Sequence, residues 1–290
     1  GVVKDQLNAA LQEHGLFFAP ELSTSNRATI GGMINTDASG QGSCTYGKTR
    51  DHVLELDMVM LGGIRFSSRS VDAGELEVQL QKDGPVGAVW RCAHQIATRH
   101  ADLIAARFPP LNRCLTGYDL AHLGEPGDRF NLNSVLCGAE GSLGFVVEAE
   151  IGLLPIPRYS VLVNVRYASF MDALRDARFL MQHRPLSIET VDSQVLSLAM
   201  GDIVWQDVAE YFPVDGDRLP TRGINLVEFC ADSQEELRER VAAFVGHLAD
   251  DATAARIGHT VAWGKACVEK VYAMRKRAVG LLGNVPGEAR

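Results

Sequence analysis

The chain has 290 residues, of which 46% are hydrophobic and 22% are charged, and its formal net charge is −8. This composition is typical of a soluble globular protein, and the length suggests roughly two domains. The acidic balance argues against nucleic-acid binding, because proteins that bind phosphate backbones carry clustered Lys and Arg. No apolar run approaches the ~18 residues of a membrane span. The six cysteines are scattered without a C-x-x-C pair, which favours free thiols in a reducing cytoplasm over disulfides or a metal site.

The apolar periodicity of the first half predicts a mixture of helices and strands. In chain order these are a helix over residues 2–14, a short strand over 16–19, a hairpin over 54–66 and a long helix over 86–108. Residues 111–130 are polar and irregular, and a strand over 147–153 ends at Pro155 and Pro157. We place a domain boundary there, which gives domains 1–157 and 158–290.

The second half repeats a strand–helix unit. Strands are predicted over residues 161–166, 186–192 and 224–230, with a helix beginning near Ser169 and another after the capping box Ser233–Glu236. A last helix covers residues 265–282. Two strand–helix units with an extra strand predict a ferredoxin-like α/β sandwich, so the fold class is α+β.

Two glycine-rich turns, in residues 23–47 and 137–144, lie between these elements. Glycines allow positive φ and close approach of the backbone to a bound group. Free N–H groups at such turns, capped by Thr29, form a concavity that binds anions such as cofactor phosphates. A glycine-rich surface loop without a ligand is about as frequent, and the spacing alone leaves both interpretations open.

The sequence around both turns resembles a known flavoprotein family. ATIGGMINTDASGQGSCTYGKTRDHVLELDMVMLGG (residues 28–63) and GAEGSLGFVVEAEIGLLPIP (residues 138–157) resemble the FAD-binding domain of the vanillyl-alcohol-oxidase (PCMH-type) family. LNRCLTGYDL, VDSQVLSLAMGDIVW and VYAMRKRAVGLLGN are similar to one branch of it, the bacterial FAD- and iron–sulfur-containing D-2-hydroxyglutarate or D-lactate dehydrogenases. The resemblance covers nearly the whole chain.

The resemblance implies that the chain is the middle of an enzyme. It would contain the second flavin subdomain and most of the FAD-linked oxidase substrate (cap) domain, truncated at its C-terminus. The family's other pyrophosphate-binding loop is expected before Gly1. The divalent metal, the iron–sulfur cluster and the general base are expected beyond Arg290, and no metal ligands are expected inside the chain. We therefore predict little or no FAD binding by the chain alone.

The resemblance also implies roles for individual residues. Those expected to contact the FAD pyrophosphate through backbone N–H groups are Thr29, Ile30, Gly31 and Gly32. Those expected beside the flavin ring are Asn35, Thr36, Asp37, Ala38, Ser39 and Gly40, where relatives often carry Asn-Ala-Gly-Gly. Further cofactor positions are Gly47, Glu140, Gly141 and Gly144, with the backbone of Val146 or Val147 at the adenine end. Arg275 is expected to bind the substrate carboxylate, with Tyr272 and Lys276 as weaker candidates.

The activity implied is oxidation of a small 2-hydroxy acid by hydride transfer to flavin, with an unidentified electron acceptor. Two alternatives stay open. The parent protein could be an FAD-linked oxidase for another alcohol or an aldonolactone, or the chain could be a binding module without catalysis.

Overall fold

The computed structural model describes residues 1–111, 113, 117–213, 221–250 and 254–282. Parts of two sequence motifs lie outside the described residues, namely 112 and 114–116 of LNRCLTGYDL and 283–284 of VYAMRKRAVGLLGN. Residues 214–220 also lie outside them. The chain divides into two units, Gly1–Ile156 and Pro157–Arg290. The assignment of residues 1–157 and 158–290 to a flavin domain and a cap domain stays a prediction.

The first unit contains short elements around a small sheet. Its helices are α1 (Lys4–Leu11), α2 (Ile30–Thr36), α3 (Ser43–Tyr46), α4 (Ala73–Gln81), α5 (Gly84–Arg99), α6 (Ala101–Arg107) and α7 (Asn133–Leu136). Its strands are β1 (Leu16–Phe17), β2 (Val53–Met60), β3 (Ile64–Arg69), β4 (Gly124–Glu125), β5 (Arg129–Phe130), β6 (Gly144–Ile151) and β7 (Leu154–Pro155).

The central sheet of this unit is antiparallel and has the order β3-β2-β6. Leu56 and Met58 are buried in its core together with Trp90 of α5. The predicted hairpin is confirmed, and Gly62 and Gly63 both have positive φ in its turn. The sheet therefore fixes β2 beside β6, and the second glycine-rich turn leads directly into β6.

One helix prediction in this unit was wrong, and one helix was not predicted. The long helix over 86–108 is two helices, because His100 adopts a non-helical backbone (φ −116°, ψ 19°) between α5 and α6. Helix α4 was missed, although its capping box, Asp72 with Glu75, is a sequence signal. The predicted helix over 2–14 is confirmed as α1 followed by a 3-10 turn, and Gly15 ends it with φ 68°.

The second unit is the predicted ferredoxin-like sandwich. Its elements are β8 (Tyr159–Tyr167), α8 (Phe170–Leu180), β9 (Ser187–Asp192), α9 (Ser193–Met200), β10 (Gly223–Ala231), α10 (Gln234–Asp250), β11 (Arg256–Trp263) and α11 (Lys265–Leu282). The antiparallel sheet has the order β11-β8-β10-β9, the strand order expected of a ββ pair inserted between two strand–helix units. The fold class is confirmed.

Each face of this sheet carries its own core. Val163 and Phe229 pack with Phe244 of α10 on one face, whereas Leu162 and Leu226 pack with Met274 of α11 on the other. Strand β11 and helix α9 were not predicted. Strand β11 contains Gly258, where its register with β8 shifts. Helix α9 begins after Asp192, whose side chain caps it by accepting the N–H of Val195. No helix in the described part of the chain is long and apolar enough to cross a membrane.

Candidate functional site

The first glycine-rich turn is the N-terminus of α2. Thr29 is the N-cap, and its hydroxyl oxygen accepts the N–H of Gly32 at 3.2 Å. The N–H of Ile30 donates to the carbonyl of Val2 at 2.8 Å. Of the three N–H groups at Ile30, Gly31 and Gly32, only that of Gly31 has no hydrogen-bond partner within the residues described.

Helix α2 ends at Asp37, which adopts a left-handed conformation with φ 45°. Its carboxylate pairs with the Lys48 ammonium at 2.5 Å and accepts a hydrogen bond from the backbone N–H of Arg50 at 2.9 Å. The Asp37 and Lys48 side chains are 7% and 3% exposed, so this is a buried ion pair. Lys48 neutralises the charge of Asp37 and so accounts for a buried aspartate at the position where the resemblance predicts asparagine.

The second glycine-rich turn lies directly against the first. The N–H of Gly138 donates to the carbonyl of Ile34 at 2.8 Å, and the N–H of Glu140 donates to the carbonyl of Asn35 at 2.8 Å. Gly138, Glu140 and Gly141 all have positive φ. Burial, followed by the charge of Asp37, raises the pKa of the Cys137 thiol. The two turns, about a hundred residues apart in sequence, therefore form one continuous surface.

Five of the six predicted cofactor glycines fall into two groups, and at the sixth, Gly32, a Cβ would lie 3.1 Å from the Thr29 hydroxyl oxygen. A Cβ at Gly40 would clash with the carbonyl oxygen of Glu21, one at Gly47 with the carboxylate of Asp51, and one at Gly144 would lie 2.9 Å from the carbonyl oxygen of Val59. Packing alone explains these three. At Gly31 and Gly141, by contrast, a Cβ would meet nothing within 4 Å.

Asn35 lies between the two turns and has one unsatisfied group. Its side-chain nitrogen donates to the carbonyl of Gly31 at 3.0 Å, which fixes the orientation of the amide. The amide oxygen Oδ1 is buried and has no hydrogen-bond partner in the described structure. Because a buried acceptor without a donor costs about 1–3 kcal/mol, this oxygen is suited to a donor group on a ligand.

The other predicted residues of the turns mostly hold the backbone. The Thr36 hydroxyl donates to the carbonyl of Gly32 at 3.0 Å. The carbonyl of Ala38 accepts both the N–H and the hydroxyl of Thr49, at 3.0 and 2.7 Å. Ser39 is half-buried. These residues determine the path of the chain from α2 towards β2.

At the start of β6, the register with β2 pairs Val146 with Met58 and Glu148 with Asp57. Val147 lies between these pairs, at a β-bulge, and its side chain is 62% exposed. A bulged residue is left out of the ladder. The prediction that Val146 or Val147 contacts a ligand through its backbone is therefore better suited to Val147.

Sequence reasoning missed four residues that link the turns. The Tyr118 hydroxyl is 2.7 Å from the Ser142 hydroxyl of the second turn. Asp119 forms an ion pair with Arg50, whose N–H reaches Asp37 of the first turn. The signal was the TGYDL motif, which was recognised as part of the resemblance but given no role.

A polar cleft of about 710 Å³ opens beside Arg50 in the same unit. Its walls carry both signs of charge, and several of these groups satisfy one another: Arg129 donates to Ser70 at 2.9 Å, and Ser70 donates to Glu125 at 2.5 Å. Burial, followed by the charge of Arg50, lowers the pKa of His122 in its wall. The cleft shows no clear preference for an anion or a cation.

In the second unit, Arg275 lies on α11 and forms an ion pair with Glu189 of β9. The Arg275 side chain is 31% exposed. Tyr272, one turn earlier, is half-buried: its hydroxyl donates to Glu228 at 2.9 Å, and desolvation raises its pKa, so it is a neutral phenol. Lys276 is exposed. Of the three candidates, Arg275 has the geometry of a partly accessible guanidinium held in one orientation.

Comparison with known proteins places these features in a family. A family model described as an FAD binding domain matches residues 1–66, and one described as the C-terminal domain of FAD linked oxidases matches residues 156–290. A D-2-hydroxyglutarate dehydrogenase of Pseudomonas putida is 68% identical over 290 residues, and one of Escherichia coli is 46% identical over 296 residues. In both cases the match covers 100% of this chain and 29% of the relative.

The fold is also found among solved structures. An alkyldihydroxyacetonephosphate synthase aligns over 97% of this chain and 42% of its own, with a TM-score of 0.60 and 15% sequence identity. This likeness concerns the fold alone. With both family models matched in their order along the sequence, the chain belongs to the FAD-linked oxidases.

Proposed function

We propose that this chain is part of an FAD-dependent dehydrogenase that oxidises a 2-hydroxy acid of the D-2-hydroxyglutarate or D-lactate type. The chain spans 29% of the length of the D-2-hydroxyglutarate dehydrogenases named above. The complete reaction therefore belongs to the whole protein, and this chain contributes one side of the cofactor site and a candidate substrate arginine.

The observation that carries the proposal is the contact between the two glycine-rich turns. Through the bonds Gly138–Ile34 and Glu140–Asn35, two family motifs form one surface that can face a single dinucleotide. Separate turns on different sides of the unit would have argued for packing alone.

Particular groups on this surface suit FAD. The free N–H of Gly31 can donate to a phosphate oxygen, and the absence of a Cβ at Gly31 and Gly141 lets a bulky ligand approach the backbone. The buried Oδ1 of Asn35 can accept from a ring N–H. Bound FAD would supply the hydride acceptor, while these residues bind and orient it.

Arg275 is the candidate for the substrate carboxylate. Guanidinium groups bind carboxylates through two parallel N–H···O bonds. The ion pair with Glu189 occupies one side of the guanidinium and restricts its rotation, which leaves the other N–H groups for a ligand. Glu189 thus acts as a positioning residue for Arg275.

The test uses the full-length protein that contains this chain. The apo-protein is titrated with FAD, and the holo-protein is then assayed with an artificial electron acceptor and D-2-hydroxyglutarate, D-lactate, glycolate, a simple alcohol or an aldonolactone. We expect stoichiometric FAD uptake and the highest kcat/KM with one of the D-2-hydroxy acids. Preference for an alcohol or aldonolactone would replace the substrate class, and failure to bind FAD would refute the proposal.

The chain by itself provides a second test. Because one side of the pyrophosphate site is expected outside residues 1–290, we expect the isolated chain to bind FAD at least 100-fold more weakly than the full-length protein, about 2.7 kcal/mol. Equal affinity would show that the two turns suffice.

A further inference from the structure

We propose that Tyr118 is a positioning residue of the dinucleotide site, and that residues 117–119 form a bridge segment which fixes the two glycine-rich turns relative to each other. This inference rests on the proposed function, because it concerns the same cofactor surface. It adds a third segment, from a loop that lies between the two turns in sequence.

The bridge segment is attached to the second turn by a directional hydrogen bond. The Ser142 hydroxyl donates its only proton to the carbonyl of Ala139 at 2.5 Å. In the 2.7 Å contact between the two hydroxyl oxygens, Tyr118 is therefore the donor and Ser142 the acceptor. The backbone also packs here, since a Cβ at Gly138 would lie 3.3 Å from the carbonyl oxygen of Gly117.

The bridge segment is attached to the first turn by charge. The Asp119 carboxylate pairs with the Arg50 guanidinium, and their side chains are 13% and 8% exposed. The backbone N–H of Arg50 in turn donates to the carboxylate of Asp37, the residue that ends α2. Adjacent residues of one segment thus reach the second turn directly, through Tyr118, and the first turn through Arg50, so a shift of either turn strains the Tyr118–Ser142 contact.

The position of Tyr118 connects this contact to the ligand surface. Ser142 directly follows Gly141, one of the two predicted cofactor glycines at which a Cβ would meet nothing within 4 Å. The Tyr118 side chain is 44% exposed, so removing its hydroxyl opens no cavity in the core. We therefore expect the Tyr118–Ser142 hydrogen bond to contribute little to the stability of the unit and to fix the position of Gly141 instead.

The experiment compares FAD affinity with apo-protein stability in the full-length protein. For Tyr118→Phe we expect FAD to bind about 3–10-fold more weakly, the contribution of one neutral hydrogen bond, with the melting temperature of the apo-protein unchanged. Ser142→Ala, which also removes the bond to the Ala139 carbonyl, should give at least this loss. Adding Tyr118→Phe to it should cause no further loss, and Ser142→Thr, which keeps the hydroxyl, should give near wild-type affinity. Tyr159→Phe is the matched control, because Tyr159 is 40% exposed and lies on β8 in the other unit.

The outcomes separate this inference from the proposed function. If the wild type binds FAD and Tyr118→Phe binds it equally tightly, the bridge segment has no positioning role. Losses that add in the double variant, or an equal loss in Tyr159→Phe, would also contradict it. If the wild type does not bind FAD, both proposals fail together.

Discussion

Gly31 offers the sharpest test of whether the first glycine-rich turn binds a cofactor. It is the second residue of α2, its N–H is free in the described structure, and an added Cβ would meet nothing within 4 Å. Glycine inside a helix costs roughly 0.5–1 kcal/mol relative to alanine. If the turn had no ligand, Gly31→Ala should be harmless or stabilising.

If a phosphate lies against this N–H, the added methyl group must crowd it. We expect Gly31→Ala to raise the apo-protein's free energy of unfolding by up to about 1 kcal/mol while weakening FAD binding about tenfold, which is about 1.4 kcal/mol. Gly31→Leu should weaken binding further without unfolding the protein. Stability is measured by urea denaturation of the apo-protein, and affinity by the quenching of flavin fluorescence in a titration.

Two other glycines provide controls. Gly246 is an exposed glycine in α10 where a Cβ also meets nothing, so Gly246→Ala should stabilise similarly and leave FAD affinity unchanged. Gly40 packs against the carbonyl of Glu21, so Gly40→Ala should destabilise the apo-protein by about 1–3 kcal/mol. Wild-type FAD affinity in Gly31→Ala would refute the assignment of this turn to the cofactor.

Three further predictions follow from charged groups. Lys48→Met should lower the free energy of unfolding, measured in urea, by about 3–5 kcal/mol, because it leaves the buried Asp37 carboxylate without a cation. Adding Asp37→Asn should recover part of this loss. Wild-type stability of Lys48→Met would contradict the pairing. Arg275→Met should raise KM for the 2-hydroxy acid about 10–100-fold, which corresponds to the loss of a charged hydrogen bond. Arg277 lies on the same helix with a side chain that is 56% exposed, so Arg277→Met should change KM little. Equal effects of the two substitutions would show that Arg275 does not bind the substrate. Burial, followed by the neighbouring His247 and Arg256, lowers the pKa of His183, so its neutral form stabilises the fold above about pH 6.5 and that stability is lost as the pH falls. His183→Gln should therefore flatten the decline of the melting temperature between pH 7.5 and 5. An unchanged decline would show that other groups cause it.

Much of the architecture could be predicted from local patterns. Alternating and helical periodicities located β2, β6, β8, β10 and α11, because burial on one face imposes a period of two or about 3.6. The errors have local causes. His100 interrupts a helical pattern that continues on both sides of it. Helix α4 has only weak amphipathic periodicity, and its capping box is the sequence signal that indicates it.

The site was predicted less evenly. The motifs placed Gly31 and Gly141 in one group, but no sequence feature distinguishes them from Gly40 or Gly144, which are glycines for packing reasons. The motif gave no partner for Asp37, and the carboxylate is held by Lys48 and Arg50, eleven and thirteen residues further on. Glu189, which forms an ion pair with Arg275 of α11, lies on β9 and has no sequence signal of its own.

The sequence by itself determined the period and order of the elements, the glycines that permit positive φ, and the family, because each of these is written in residue type and spacing. Only the tertiary structure decided which of those glycines face open space, which N–H and amide groups lack a partner, and that the two turns touch through Ile34 and Asn35. These properties depend on atoms distant in sequence, since a free donor or an uncrowded Cα is defined by what the rest of the chain leaves beside it.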